Sequence, residues 1–237
     1  MPPPISLDVL YEDNHLLALN KPAGVPSAHF DGDTDTLDLH AKSYLKDKYA
    51  KPGNVFLGVV HRLDKTVSGC IAYARTTKAA SRLSEQFREH TVRKIYWAVA
   101  HDGFLGKHDE GTLDDHLLHD DLEQRVNVVH KNAVGAKHSS LSFRVLSRDR
   151  NMVLVELQPD TGRKHQLRVQ LASRGSPIFG DLKYGSGARF GIGIGLHACS
   201  LGFQHPTTGE AILLKAPLPA RWYGAFGKLI SEAESRA

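Results

Sequence analysis

The chain has 237 residues, which suits one large domain or two small ones and buries roughly 70–75% of the surface its unfolded form exposes. Its 30 lysines and arginines against 26 aspartates and glutamates leave a charge of +4, which permits a polyanionic partner without demanding one. Two distant cysteines, Cys70 and Cys199, exclude a disulfide framework, and the lack of a signal-type N-terminus or a ~20-residue apolar run leaves the cytoplasm as the expected location, with no membrane contact.

DVLYEDNHLLALNKPAG, from residue 8, predicts two short strands around the turn pair Asp13-Asn14, closed by Pro22 and Gly24. Thr36 is placed to cap a helix with Leu37, Ala41, Tyr44 and Leu45 on one face. NVFLGVV and CIAYART predict strands on either side of a charged segment, His61-Arg62-Leu63-Asp64-Lys65. Thr77 is expected to cap a second helix, striped by Ala80, Leu83 and Phe87. RKIYWAVA alternates as a strand, with Tyr96, Ala98 and Ala100 opposite Ile95, Trp97 and Val99. Residues 101–124 read as polar loop.

Beyond it, HSSLSFRVLSRDRNMVLVELQP predicts a hairpin, Leu141, Phe143 and Val145 answered by Val153, Val155 and Leu157. TGRKHQLRVQLASRG enters a helix with Gly175 as its C-cap. After the glycine-rich GSGARFGIGIG, a second hairpin turns at Pro206–Gly209, and a last helix carries Trp222, Phe226, Leu229 and Ile230. Separated strands with interspersed helices and no βαβ rhythm predict an α+β fold built on a mainly antiparallel mixed sheet with flanking helices.

Aspartate is poor in strands, so Asp64 between two apolar runs is either a turn residue bonding its own backbone or a reagent. Arg62 nearby would keep its carboxylate ionised, and an ionised carboxylate in a cleft can act as nucleophile or base. Tyr96 is an ordinary half-buried strand tyrosine unless it faces a cleft, where a phenol can stack on a flat ligand and handle a proton. Arg163, Lys164, His165 and Arg168 crowd a helix start and form either a solvated basic face or an anion site. His108, Asp109, His116, His119 and Asp120 invite a metal reading, but their spacing matches no metal motif and an exposed loop is expected. The GSGARFGIGIG glycines lack the strand-to-helix frame of a nucleotide fingerprint.

Together these segments resemble a known family. HRLDKTVSG is similar to the HRLDxxTSG signature of the RluA-type pseudouridine synthases. LNKPAGV, EHTVRKIYWAVA, TGRKHQLRVQLA, PIFGDLKYG and LHACSLGFQHPTTGE resemble further family segments, in the family's order along nearly the whole chain. Thr66-Val67 and Gln170 depart from the pattern. The chain starts almost directly at the catalytic segment, so no S4 RNA-binding module is expected, which tilts expectation from ribosomal RNA towards transfer RNA.

The resemblance implies one catalytic domain over residues 1–237, with room for two lobes around a central RNA-binding cleft. It implies an isomerase that breaks the C1′–N1 bond of a uridine, rotates the uracil and rejoins it through C5. Asp64 would be the essential carboxylate, attacking C1′ or assisting glycal formation. Tyr96 would stack on the uracil and help remove the C5 proton, Arg168 would pair with Asp64, and Leu167 would line the base pocket. The uridine must be flipped out at a cost of a few kcal/mol, and Arg62 is the candidate to fill the gap. His61 joins Arg62 in the substrate-binding set. Lys65, Arg163, Lys164, Arg174 and Lys183 are expected at phosphates. No metal or organic cofactor is expected, and the partner is a tRNA or rRNA stem-loop met by a monomer. The rivals are a non-catalytic RNA-binding or remodelling protein of the same fold, and a metal-dependent hydrolase using residues 108–121.

Overall fold

A computed structural model describes residues 6–29 and 35–236 of the chain. In chain order its strands are β1 (Val9–Glu12), β2 (Leu16–Lys21), β3 (Gly58–Val59), β4 (Ser68–Ala74), β5 (Arg93–His101), β6 (Glu110–Asp120), β7 (Arg125–Val129), β8 (Lys137–Asp149), β9 (Met152–Pro159), β10 (Leu196–Gln204) and β11 (Ala211–Lys215). The helices are α1 (Leu37–Lys48), α2 (Thr77–Arg88), α3 (Gln166–Ala172) and α4 (Ala220–Glu234). The chain forms two units, Met1–Lys94 with Ala198–Pro217, and Ile95–His197 with Leu218–Ala237.

The first unit is discontinuous. Its strands run β1-β2-β4-β10, with β3 added to β4 and β11 to β10. The β1–β2, β2–β4, β3–β4 and β10–β11 pairs are antiparallel. All seven positions of β4 are buried, as its unbroken apolar and small composition requires of a central strand. Leu16, Ala18, Cys70, Ala72, Leu83 and Phe203 share its core. Gly69 has φ +116, and a Cβ there would lie 2.3 Å from the Ala198 carbonyl oxygen, so β10 approaches β4 as only glycine allows.

The second unit orders its strands β5-β9-β8-β6-β7, every neighbouring pair antiparallel. The β8–β9 hairpin sets Phe143 opposite Leu157 and Val145 opposite Val155, the cross-strand match that the alternation predicts. On α4, Trp222, Phe226, Leu229 and Ile230 are buried against Val99, Leu154 and Phe190. Each such side chain contributes about 1.5–3 kcal/mol by leaving water.

Several local expectations are corrected. Residues 110–120 form a strand, not a loop. Only Leu113 and Leu117 mark its buried face, and Asp115 between them is hidden by a bidentate pair with Arg174. The strand expected over NVFLGVV shrinks to Gly58–Val59. The α2 cap is Thr76, one residue before the expected Thr77; its hydroxyl accepts the Ala79 N–H at 3.2 Å. Thr36 does sit at the start of α1, but its hydroxyl donates to the Asp38 carboxylate and caps no backbone group. Helix α3 ends at Ala172, and here the expectation holds: Gly175 (φ +73) closes the helix, its N–H reaching the Ala172 carbonyl (3.0 Å) and the Ser176 N–H the Leu171 carbonyl (3.1 Å).

Candidate active site

In the first unit, Asp64 opens a tight turn, its carbonyl accepting the Val67 N–H at 3.0 Å. The turn is fastened from outside. Lys21, the last residue of β2, is 0% exposed. Its ammonium donates to the carbonyls of Pro22 (3.0 Å), Val25 (2.8 Å) and Lys65 (3.3 Å). The Gly24 N–H reaches the same Lys65 carbonyl at 2.7 Å. On the other side of Asp64, the Ser27 hydroxyl accepts the Leu63 N–H (3.0 Å) and donates to the Leu63 carbonyl (2.7 Å). The Tyr73 hydroxyl in turn holds the Ser27 carbonyl at 2.5 Å. Residues 63 and 65 are therefore pinned to segment 21–27, and the half-buried Asp64 stands between two fixed points.

Burial pushes the Lys21 ammonium down to about 7, against the opposing pull of the Asp64 charge. Between pH 7 and the ordinary lysine value of 10.5 the unfolded chain thus holds a proton that the folded chain has released. The stability contribution of this group is smallest below pH 7 and rises through that window, by at most about 1.4 kcal/mol per pH unit. Lys21→Met should remove this slope. Urea unfolding of both proteins from pH 7 to 9 checks it, and parallel pH curves would detach Lys21 from the effect.

His61 faces β4. Its Nε2 accepts the Ala72 N–H at 2.9 Å, and its ring stacks on Phe87 at 4.7 Å. Burial pushes the imidazole down to about 3, and the Lys94 charge adds to the shift. A neutral ring therefore braces the strand that follows Asp64. Arg62, between the two, is exposed.

In the second unit, Tyr96 lies on β5 opposite Leu157, half-buried and on the same face as Ala98 and Ala100. The basic segment is a loop knitted by one amide. Gln166 Oε1 accepts the Thr161 hydroxyl (2.8 Å) and the Arg163 N–H (3.0 Å), while Nε2 donates to the Ser140 carbonyl (2.9 Å). Arg163 and Lys164 are exposed; Arg163 Nε donates to the His138 carbonyl (3.0 Å) and Lys164 to His119 Nε2 (2.7 Å). Leu167 and Arg168 follow on α3, both buried. The resemblance has Arg168 pairing with Asp64; within its own unit the carboxylate it grips is Asp181, through Nε (2.6 Å) and Nη2 (2.9 Å).

Of the expected phosphate contacts, Arg174 is engaged by Asp115 (2.8 and 3.1 Å), and Lys183 donates to the Gln124 carbonyl. The departure Gln170 has a local reason. Its buried amide bonds the Leu113 carbonyl (3.2 Å), Asp115 (2.8 Å) and the Ser139 hydroxyl (3.3 Å), fastening α3 to β6 and β8. The β6 pleat sends His116 and His119 to opposite faces, and His108 lies before the strand, its Nδ1 within 2.9 Å of the Phe104 carbonyl. Among the described residues no three metal-ligating side chains come together. Sequence reasoning missed Lys21, Ser27, Asp181 and Tyr184, although LNKPAGV and PIFGDLKYG contain three of the four.

The sequence model of the RNA pseudouridylate synthase family matches residues 15–173. The RNA pseudouridine synthase YlyB of Bacillus subtilis, described as uncharacterized, is 38% identical over 218 residues, which cover 91% of this chain and 70% of that protein. The ribosomal large subunit pseudouridine synthase C of Vibrio cholerae is 34% identical over 229 residues, 93% of this chain and 69% of that one. Among solved structures, human RNA pseudouridylate synthase domain containing 4 is similar with a TM-score of 0.77 at 26% identity, over 94% of this chain and 93% of that one. Identity of this extent, along a fold of the same kind, means that the chain belongs to the RNA pseudouridylate synthase family and is an RNA pseudouridine synthase, an isomerase.

Proposed function

We propose that this enzyme isomerises uridine in ribosomal RNA of the large subunit, with Asp64 as the essential carboxylate. The observation that carries the role of Asp64 is its placement on a turn pinned at both flanking residues by Lys21 and Ser27. A surface turn aspartate needs no such fastening, whereas a reacting group gains from being held in one geometry. The substrate is inferred from relatives named for the ribosomal large subunit, which outweighs the expectation of transfer RNA.

In this reading the uridine leaves its stack, with Arg62 filling the gap, and Leu167 lines the pocket that receives the base. The C1′–N1 bond breaks, the uracil turns, and C1′ bonds to C5. The proton lost from C5 leaves with help from Tyr96, and N1 gains one, so no oxidant, reductant or cofactor enters the balance. Asp64 either bonds C1′ as N1 leaves and is displaced when C5 attacks, or takes a C2′ proton and returns it when C5 adds to C1′; Arg168 keeps it ionised. Lys65, Arg163 and Lys164, all exposed, meet phosphates from a monomer working in the cytoplasm.

Pseudouridine mapping of ribosomal and transfer RNA, with and without the gene, tests the proposal. The expected result is loss of specific large-subunit sites, restored by the wild-type gene. Loss confined to transfer RNA would move the substrate, and an unchanged map would overturn the assignment of either RNA.

A further inference from the structure

Arg168 sits early in a seven-residue helix, α3, and is 6% exposed; its partner Asp181 is 1% exposed. A guanidinium has five N–H donors in one plane, and Asp181 takes two of them along the Nε–Nη2 edge. The Tyr184 ring lies 5.0 Å from the Arg168 guanidinium carbon. One carboxylate thus sets the direction of the guanidinium, and one ring backs it.

The seat is itself held. The Asp181 carbonyl accepts the N–H groups of Tyr184 (3.1 Å) and Ser186 (3.0 Å), and the Asp181 N–H reaches the Ile178 carbonyl (3.0 Å). Next to it Gly180 has φ +85, and a Cβ there would sit 2.6 Å from that of Phe190. The Tyr184 hydroxyl accepts the Val126 N–H (3.0 Å) and shares a hydrogen bond with His165 Nδ1 (2.8 Å). His165 is left-handed (φ 53) at the position that starts α3, a conformation disfavoured for a residue with a Cβ. One phenol therefore touches both the guanidinium plane and the strained residue that launches the helix.

Burying an ion pair is a poor way to stabilise a fold, since desolvation offsets the attraction and an apolar pair of similar volume does as well. What the pair supplies is direction. We propose that Asp181 and Tyr184 are positioning residues for the isomerisation, forming a seat that fixes the plane and bearing of the Arg168 guanidinium. This rests on the reading that Arg168 serves the reaction. Asp181 works through the two edge bonds, and Tyr184 through its ring and through His165.

The test uses the full chain on a pseudouridylatable RNA under single- and multiple-turnover conditions. Asp181→Glu keeps the charge, and so the neutrality of the buried pair, but moves the carboxylate by one methylene. It should fold, bind RNA with KM within about threefold of wild type, and lose about ten- to a hundredfold in kcat, because a displacement of about 1 Å costs that much in a positioned site. Tyr184→Phe keeps the ring and drops the hydroxyl; it should lower kcat by a smaller factor, and Tyr184→Leu by a larger one. Wild-type kcat in both folded Asp181→Glu and Tyr184→Leu would overturn the seat. So would a loss confined to KM or to melting temperature. Arg168→Met, run in parallel, separates the two levels. If it abolishes turnover while Asp181→Glu does not, only the seat fails. If it turns over normally, the role of Arg168 fails and the seat with it. Should Asp181→Glu not fold, the Tyr184 pair decides alone.

Discussion

Asp64→Asn is expected to abolish pseudouridine formation, by at least about a thousandfold, and to leave RNA binding intact or tighter. The amide nearly matches the carboxylate in volume but can neither bond C1′ as a nucleophile nor accept a proton. The fold should survive, because the turn is fastened through the backbone of Leu63 and Lys65. Affinity should not fall, because a carboxylate facing a polyanion repels it and the basic residues are untouched. One side effect is expected: without the Asp64 charge, a pull that opposes the burial of Lys21 is lost, and its ammonium should release its proton more readily still. Intact mass is blind to this isomerisation, so the readout is nucleoside chromatography or a reverse-transcription stop at a carbodiimide adduct. Turnover near wild type with RNA bound normally would remove Asp64 from the chemistry.

Gly69→Ala is expected to have the largest effect on stability. The new methyl would meet the carbonyl oxygen, nitrogen and carbonyl carbon of Ala198 at 2.3, 2.6 and 2.7 Å, and φ is +116. These are backbone atoms of a neighbouring strand, so no side chain can swing aside. Strand β10 must shift from β4, or Gly69 must leave its conformation and move the turn that carries Asp64. A loss above about 4 kcal/mol is expected, a large part of the 5–15 kcal/mol typical of a native protein. Gly53→Ala is the control: its Cβ meets nothing within 4 Å and should change stability by under about 0.5 kcal/mol. Thermal melts of the two variants check this, and a Gly69→Ala protein melting with wild type would refute the close approach.

How much of this was legible depended on the distance between partners in the chain. The β8–β9 pairing and the α4 stripe could be read because alternation and helical spacing are local signals. Strand β6 could not, since Asp115 interrupts its buried face and its partner Arg174 is 59 residues away. Asp64 was recognisable through its motif, but its fastening was not: Lys21 lies 44 residues from Lys65, and a lysine after an apolar strand reads as exposed. Asp181 lay inside a quoted segment, yet its meaning depends on Arg168, 13 residues earlier and across a loop. Residue types were visible where partners were not.

The discontinuity of the first unit sets a timetable for synthesis. Strand β4 and the Asp64 turn leave the ribosome early, whereas Ala198–Pro217, which supplies most of β10 and all of β11, follows only after Ile95–His197 has been made. At about 5–20 residues per second that interval lasts roughly 5–20 seconds. For its duration the stretch of β4 that β3 and His61 do not cover, on the side away from β2, lacks its neighbour and offers unpaired backbone groups to any passing strand. The nascent enzyme is thus vulnerable to misassociation while the turn bearing its carboxylate is already out, and a stall or truncation before Ala198 should yield aggregates and chaperone clients, not a half-active fragment.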